Sequence, residues 1–330
     1  MHNRKRDHIS LALNNKTTIS EKDPRFFYEP LISGHPNGSL PETTLGEKTM
    51  KAPVWISSMT GGTPEARKIN HNLAAVAAEF GLGMGLGSCH ILLKDERHLP
   101  DFNLKPIIGD AVPFYANLGI AQIEQYLEKD DIQTLKDLVS LLKADGLIIH
   151  VNPLQEWLQP EGDYLKHPPI DSISRLLEVA DFNVMVKEVG QGMGKQSLKT
   201  LLQLPLTAIE FGAFGGTNFA KIELMRNEDA NASLLEPLSY IGQTAEEMVV
   251  LINQLLEEEL PVQTENLIIS GGIKNFLDGY YLINISQMPS VYGMASGFLK
   301  HAREDYQSLK QFAKGQIEGL QFANNYLKVI

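Results

Sequence analysis

The chain has 330 residues, 43% of them hydrophobic and 21% charged, and carries a formal net charge of -11. That is enough for a large core and too acidic for non-specific nucleic-acid binding, so an anionic ligand needs a local cationic patch or a metal ion. Cys89 is the single cysteine, which excludes an internal disulfide or a zinc cluster. No signal-peptide core or apolar run of membrane-spanning length is present, and a soluble cytoplasmic protein with no membrane or nucleic-acid partner is expected.

Residues 1–50 are polar and turn-rich, with Ser33 to Ser39 reading as an exposed loop and Arg4-Lys5-Arg6 as a basic tail. They are expected to form an N-terminal extension to a domain spanning 51–330. From there an alternation begins. Pro53 to Met59 reads as a buried strand and Pro64 to Phe80 as a helix, with Ile69, Leu73, Val76, Ala77 and Phe80 at helical spacing. Leu82 to Ser88 is a Gly-rich strand and Pro113 to Leu118 another; Ile120 to Leu142 is helical, broken near Asp130-Asp131. Leu147 to Val151 is a short apolar run, the mark of a strand buried on both faces. A helix from about Ile173 to Ala180 precedes the strand Asn183 to Val189, and the helix Leu198 to Leu204 precedes the strand Thr207 to Gly212. Ala245 to Glu259 is amphipathic, Leu267 to Ser270 a strand, Phe276 to Ile283 helical, Val291 to Ala295 a strand, and Phe298 to Leu327 a helical tail. Eight buried strands alternating with helices predict an α/β fold, a TIM (β/α)8 barrel, with an open doubly wound sheet as the other closure.

In a parallel barrel ligands bind where the strands end, and unusual chemistry collects there. The first strand ends in Ser58-Met59-Thr60-Gly61-Gly62, the second in Gly87-Ser88-Cys89-His90, and the third in Asn117-Leu118-Gly119. The fourth runs into His150, Asn152, Gln155 and Glu156; the fifth ends in Lys187-Glu188, the sixth in Gly215-Gly216-Thr217. The seventh and eighth end in Ser270-Gly271-Gly272 and Ala295-Ser296-Gly297. Glycines there let backbone N–H groups approach a phosphate, although tight turns alone also use them. Lys187 reads either as a buried ion-pair partner of Glu210 or Glu188, or as a cation facing the mouth. Glu156 is a candidate Mg²⁺ ligand, with water and phosphates completing the shell. Cys89 reads more simply as a small core filler than as a nucleophile.

Nine motifs in order then carry a resemblance. Arg4-Lys5-x-x-His8, Met59-Thr60-Gly61-Gly62-Thr63, Gly87-Ser88, Ala116-Asn117-Leu118-Gly119 and His150-x-Asn152-Pro153-Leu154-Gln155-Glu156 come first. Pro160-Glu161-Gly162-Asp163, Val186-Lys187-Glu188-Val189-Gly190, Gly215-Gly216-Thr217 and Ser270-Gly271-Gly272-Ile273 follow. Together they resemble type 2 isopentenyl-diphosphate isomerase over nearly the whole chain. The resemblance implies a barrel holding FMN, with reduced flavin as acid/base, NADPH as its reductant and Mg²⁺ on the diphosphate. It places FMN against Met59, Thr60, Gly61, Ser88, Asn117, Lys187, Thr217, Gly271, Gly272, Ala295 and Ser296. It places the diphosphate substrate against Arg4, Lys5, Ser88, Cys89 and His90, substrate also at Gln155, and Mg²⁺ on Glu156. Lys187, Gln155 and His150 become the catalytic candidates, in a cytoplasmic homo-oligomer.

Where the family usually shows Gly-Ser-Gln-Arg, this chain has Gly87-Ser88-Cys89-His90, which exchanges a fixed, bidentate phosphate donor for a titratable one. Lys274 and Ser296-Gly297 likewise replace a frequent Arg and a frequent Arg-Pro. Two other functions therefore stand beside the isomerase: a flavoprotein that has lost this chemistry and serves in binding or regulation, and an FMN oxidoreductase of the hydroxy-acid oxidase type. The His-Gly-Gly-Arg run of such oxidases is absent.

Overall fold

The computed structural model describes residues 2–227 and 232–330. Short apolar runs buried on both faces become eight strands: β1 (Val54–Ile56), β2 (Gly83–Gly85), β3 (Phe114–Gly119), β4 (Gly146–His150), β5 (Asn183–Lys187), β6 (Ala208–Glu210), β7 (Asn266–Ser270) and β8 (Ser290–Met294). Each is parallel to its neighbours, and β8 pairs with β1 through Tyr292↔Val54, Gly293↔Trp55 and Met294↔Ile56. That pairing leaves no edge, so the protein is a closed TIM barrel and the open sheet is ruled out.

Helices cover the outside where the sequence supplies caps. Thr63 accepts from the Ala66 N–H at 3.1 Å, Pro64 opens Pro64–Phe80, and Gly81 closes it at φ 67°. The expected break at Asp130-Asp131 separates Ile120–Glu128 from Ile132–Leu142. The C-terminal tail is two helices, Ser296–Glu304 and Tyr306–Tyr326, because the Asp305 carboxylate accepts from the Ser308 N–H at 2.8 Å and starts a new helix. Three short helices, His90–Lys94, Leu99–Phe102 and Lys105–Ile108, fill a stretch with no predicted element. Among the described residues no helix is long and apolar enough to cross a membrane.

The barrel interior is a separate core. Trp55, Tyr115, Ile148, Met185, Ala208, Ile268 and Val291 point inward and pack with Leu45 and Met50. The last two belong to a hairpin, Thr43–Leu45 with Lys48–Met50, that plugs the floor. The strand Phe26–Tyr28 pairs with Leu327–Val329 at the chain's end. Packing therefore reaches across residue 50 at a few points: Phe26, Leu40, Leu45 and Met50 are buried, while most of the polar N-terminal stretch stays exposed. Met50 is 0% exposed, and Met50→Ala is expected to cost about 2–5 kcal/mol in denaturant unfolding.

Side chains alternate along a strand. Two residues beyond the inner layer, Asn117, His150, Lys187, Glu210, Ser270 and Gly293 therefore face the same interior, one step nearer the strand C-termini. The register places His150 beside Lys187 and Lys187 beside Glu210 on adjacent strands.

Candidate active site

A cleft of about 350 Å³ opens at this end of the barrel, lined by Ser57 and Ser58 after β1, Lys187 to Gly190 after β5, and the glycine-rich turns after β6, β7 and β8. Thr217, Gly271, Gly272, Ala295 and Ser296 all line it with Lys187. The turns are packed backbone to backbone. Gly271 has φ 94°, and a Cβ there would lie 2.2 Å from the Ala213 oxygen; only glycine fits. Among the described residues the N–H groups of Gly215, Gly216, Thr217, Gly272 and Ile273 donate to no protein acceptor. The nine-residue helix Ser296–Glu304 begins at the same place with no side-chain cap. Free N–H groups and a helix N-terminus make a cradle for a phosphate.

Lys187 donates to the Glu188 backbone oxygen at 3.3 Å. Burial pulls its pKa below the ordinary lysine value, opposed by the charges of Glu210 and Glu188. The Glu188 carboxylate is spent locally: one oxygen accepts from the N–H groups of Gly190, Gln191 and Gly192 at 2.6, 2.6 and 2.9 Å, shaping the loop after β5. Burial nevertheless pushes its pKa up, against those three bonds. Glu210 is 3% exposed. Its Oε2 has no partner, and neither have the buried hydroxyls of Ser57 and Ser58.

On the opposite flank His150 Nδ1 is 2.8 Å from Asn117 Oδ1, and the Asn117 amide donates to the Leu86 oxygen at 2.9 Å. With that amide fixed, Nδ1 carries the proton and Nε2 a lone pair. Burial, then the nearby Lys187 and His90, hold the imidazole neutral, with its pKa down to about 3. Asn117 and His150, expected to touch cofactor and to act in catalysis, are hydrogen-bonded to one another from adjacent strands.

After β4 the helix Pro153–Leu158 presents Gln155 and Glu156. Asn152 Nδ2 donates to Gln155 Oε1 at 3.2 Å and to Glu156 Oε1 at 2.8 Å. The other Glu156 oxygen accepts from the Asp163 N–H at 2.7 Å. Gln155 Nε2 donates to Glu223 Oε1 at 3.0 Å, and Glu223, 3% exposed, is ion-paired to Arg226 at 2.7 Å. Glu223 was missed from sequence: it sits on the helix Phe219–Arg226, in a stretch without a predicted element or motif.

The remaining expected contacts are distributed around the same end. Met59, Thr60 and Gly61 are half-buried in the turn after β1. A Cβ on Gly87 would meet the Thr60 backbone at 2.5 Å, so the turns after β1 and β2 touch. Ser88 is exposed and His90 half-buried; burial and Lys94 lower the His90 pKa while Asp163 raises it. Cys89 is a correction to its expected substrate contact. It is 0% exposed in the core and its N–H donates to the Asn117 oxygen at 2.7 Å. Burial pushes its thiol up to about 12: at the start of the helix His90–Lys94 its Sγ turns inward to the Gly87 oxygen at 3.5 Å. Arg4 and Lys5 lie exposed on the helix His2–Ala12, and among the described residues no hydrogen bond or ion pair ties either to the barrel.

No family model matches the chain. The isopentenyl-diphosphate delta-isomerase of Rickettsia peacockii is 32% identical over 305 residues, covering 91% of this chain and 85% of that protein. The chain belongs to the isopentenyl-diphosphate delta-isomerase family. The relative of the same name in Rickettsia felis is 31% identical over 323 residues, 96% of this chain and 90% of that one. Among solved structures, a flavocytochrome b2 variant with pyruvate bound superposes with a TM-score of 0.62 at 11% identity, covering 91% of this chain and 71% of that one. A mandelate oxidase variant with an FMN adduct gives 0.56 at 10% identity, covering 93% and 88%. At such identities the likeness is one of fold. Among this family member's described residues, the one cluster of three or more potential metal ligands is Glu124, Glu128 and His167. Lys166 already pairs with Glu128 there at 2.8 Å, and Glu156 lies outside the cluster.

Proposed function

We propose that this chain is a type 2, FMN-dependent isomerase that interconverts isopentenyl and dimethylallyl diphosphate, using Mg²⁺ and a flavin reduced by NADPH. The observation that carries the reading is the convergence, in a member of this family, of the glycine cradle, Lys187 and the Gln155–Glu156 pair at one end of one barrel. The residues fit FMN on two counts: the unpartnered N–H groups after β6 and β7 suit its phosphate, and the unpartnered polar atoms of Ser57, Ser58 and Glu210 suit the polar edge of a ring. They fit Mg²⁺ through Glu156, whose two oxygens each take one N–H bond and keep a lone pair apiece, oriented by Asn152 and Asp163.

Moving an unactivated double bond requires protonating one carbon and deprotonating another through a cation-like state, and a reduced flavin supplies both an acid/base edge and an electron-rich face. The protein's own work is positioning and electrostatics. Lys187 places a cation beside the ring site. His150, neutral at physiological pH, donates from Nδ1 to Asn117 and offers only an acceptor at Nε2, so it holds shape and polarity and does not act as a general acid. Gln155 is held between Asn152 and Glu223, which leaves its amide fixed for an alkene-bearing substrate. Arg4 and Lys5 become candidate phosphate clamps only by movement of the N-terminal helix.

The test is turnover of isopentenyl diphosphate by purified protein with FMN, Mg²⁺ and NADPH under anaerobic conditions; no dimethylallyl product would sink the reading. Glu156→Gln keeps the size and one acceptor but removes the charge. It is expected to raise the Mg²⁺ concentration for half-maximal rate at least about tenfold, with FMN content unchanged. His90 motivates the second reading, a flavoprotein that has lost isomerase chemistry. A large gain in turnover in His90→Arg would mark a decayed site, and little change an adapted one.

A further inference from the structure

We infer that Glu210 is a positioning residue whose carboxylate keeps Lys187 in its ammonium form at the floor of the cleft. The purpose of that charge, a cation beside a bound flavin, rests on the function proposed above; the protonation of Lys187 is a property of the protein alone.

The two residues are register partners on β5 and β6, facing the same interior and lining the same cleft. A carboxylate 3% exposed with an oxygen lacking any donor is costly to keep ionised unless an opposite charge stands nearby. Lys187 is that charge. The other acid beside Lys187 is Glu188, but three backbone N–H groups already bind one of its oxygens, and Lys187 reaches only its backbone carbonyl. On β4 the facing group is His150, which burial holds neutral. Lys274 lines the same cleft and adds a like charge. Burial favours loss of the Lys187 proton, and the charge of Glu210, ahead of that of Glu188, opposes it.

The measurement is the titration of Lys187 in apoprotein labelled with ¹³Cε-lysine, its resonance assigned by its absence in Lys187→Arg. Glu210→Gln is expected to lower the midpoint by about one pH unit or more, a tenfold loss of proton affinity, and Glu210→Asp to stay within about threefold of the parent. An unchanged midpoint in Glu210→Gln overturns the inference. Should that variant not fold, Glu210→Ser serves in its place: its Lys187 midpoint should fall by a similar amount, and a midpoint equal to the parent's overturns the inference. In FMN-loaded protein, the Kd of Glu210→Gln should rise at least tenfold between about pH 6 and about pH 9, against less than about threefold for the parent. A parent that binds no FMN defeats the flavin reading, and the Lys187 midpoint then decides alone on Glu210.

Discussion

Lys187→Ala yields a folded protein that no longer holds FMN in a reducible form. Lys187 is the cation that faces the barrel interior in the row His150, Lys187, Glu210. Deleting it removes the attraction for an electron-rich ring and leaves Glu210, already short of a partner, facing the cleft alone. Losing a charge-assisted contact of this kind costs roughly 2–3 kcal/mol, an approximately thirty- to 150-fold rise in Kd. Fluorescence titration of apoprotein with FMN and dithionite reduction read the effect, with thermal unfolding as the check on the fold. Yellow, reducible protein with the parent Kd would remove Lys187 from the site.

Gly271→Ala should do comparable damage by geometry alone. The backbone there sits at φ 94°, and the new Cβ would stand 2.2 Å from the Ala213 oxygen and 2.3 Å from its nitrogen. Ala213 cannot retreat, because its N–H donates to the Ser270 oxygen at 2.9 Å and ties the turn after β6 to β7. Strain at positive φ, about 1–2 kcal/mol, and overpacking, about 1–3 kcal/mol, add at a point where the two turns form the cradle. FMN affinity is expected to fall on the order of a hundredfold, with a lower Tm. Gly315→Ala is the control: nothing lies within 4 Å of its Cβ, and it is on the helix Tyr306–Tyr326. It should stabilise by about 0.5–1 kcal/mol and leave FMN binding untouched. Parent-like affinity in Gly271→Ala would show that the turns do not hold the phosphate.

The sequence by itself determined the eight strands, since each is a short apolar run bounded by polar or glycine residues. It also placed the polar residues of the site at strand ends, because a residue just past a buried strand has nowhere else to go. The glycines after β6 and β7 and the row of Asn117, His150 and Lys187 were legible for that reason. Only the tertiary structure decided the closure of β8 on β1, the plugging of the floor by Leu45 and Met50, and the burial of Cys89 between two residues that face the mouth. It also decided that Glu188 is consumed by its own loop while Glu210 stands unpartnered, and that Glu223 backs Gln155 across 68 positions of chain. Those outcomes depend on which groups meet across strands and turns far apart in sequence. Local periodicity carries no information about such meetings, and the hydrogen bonds and charges they bring together set what each side chain can do.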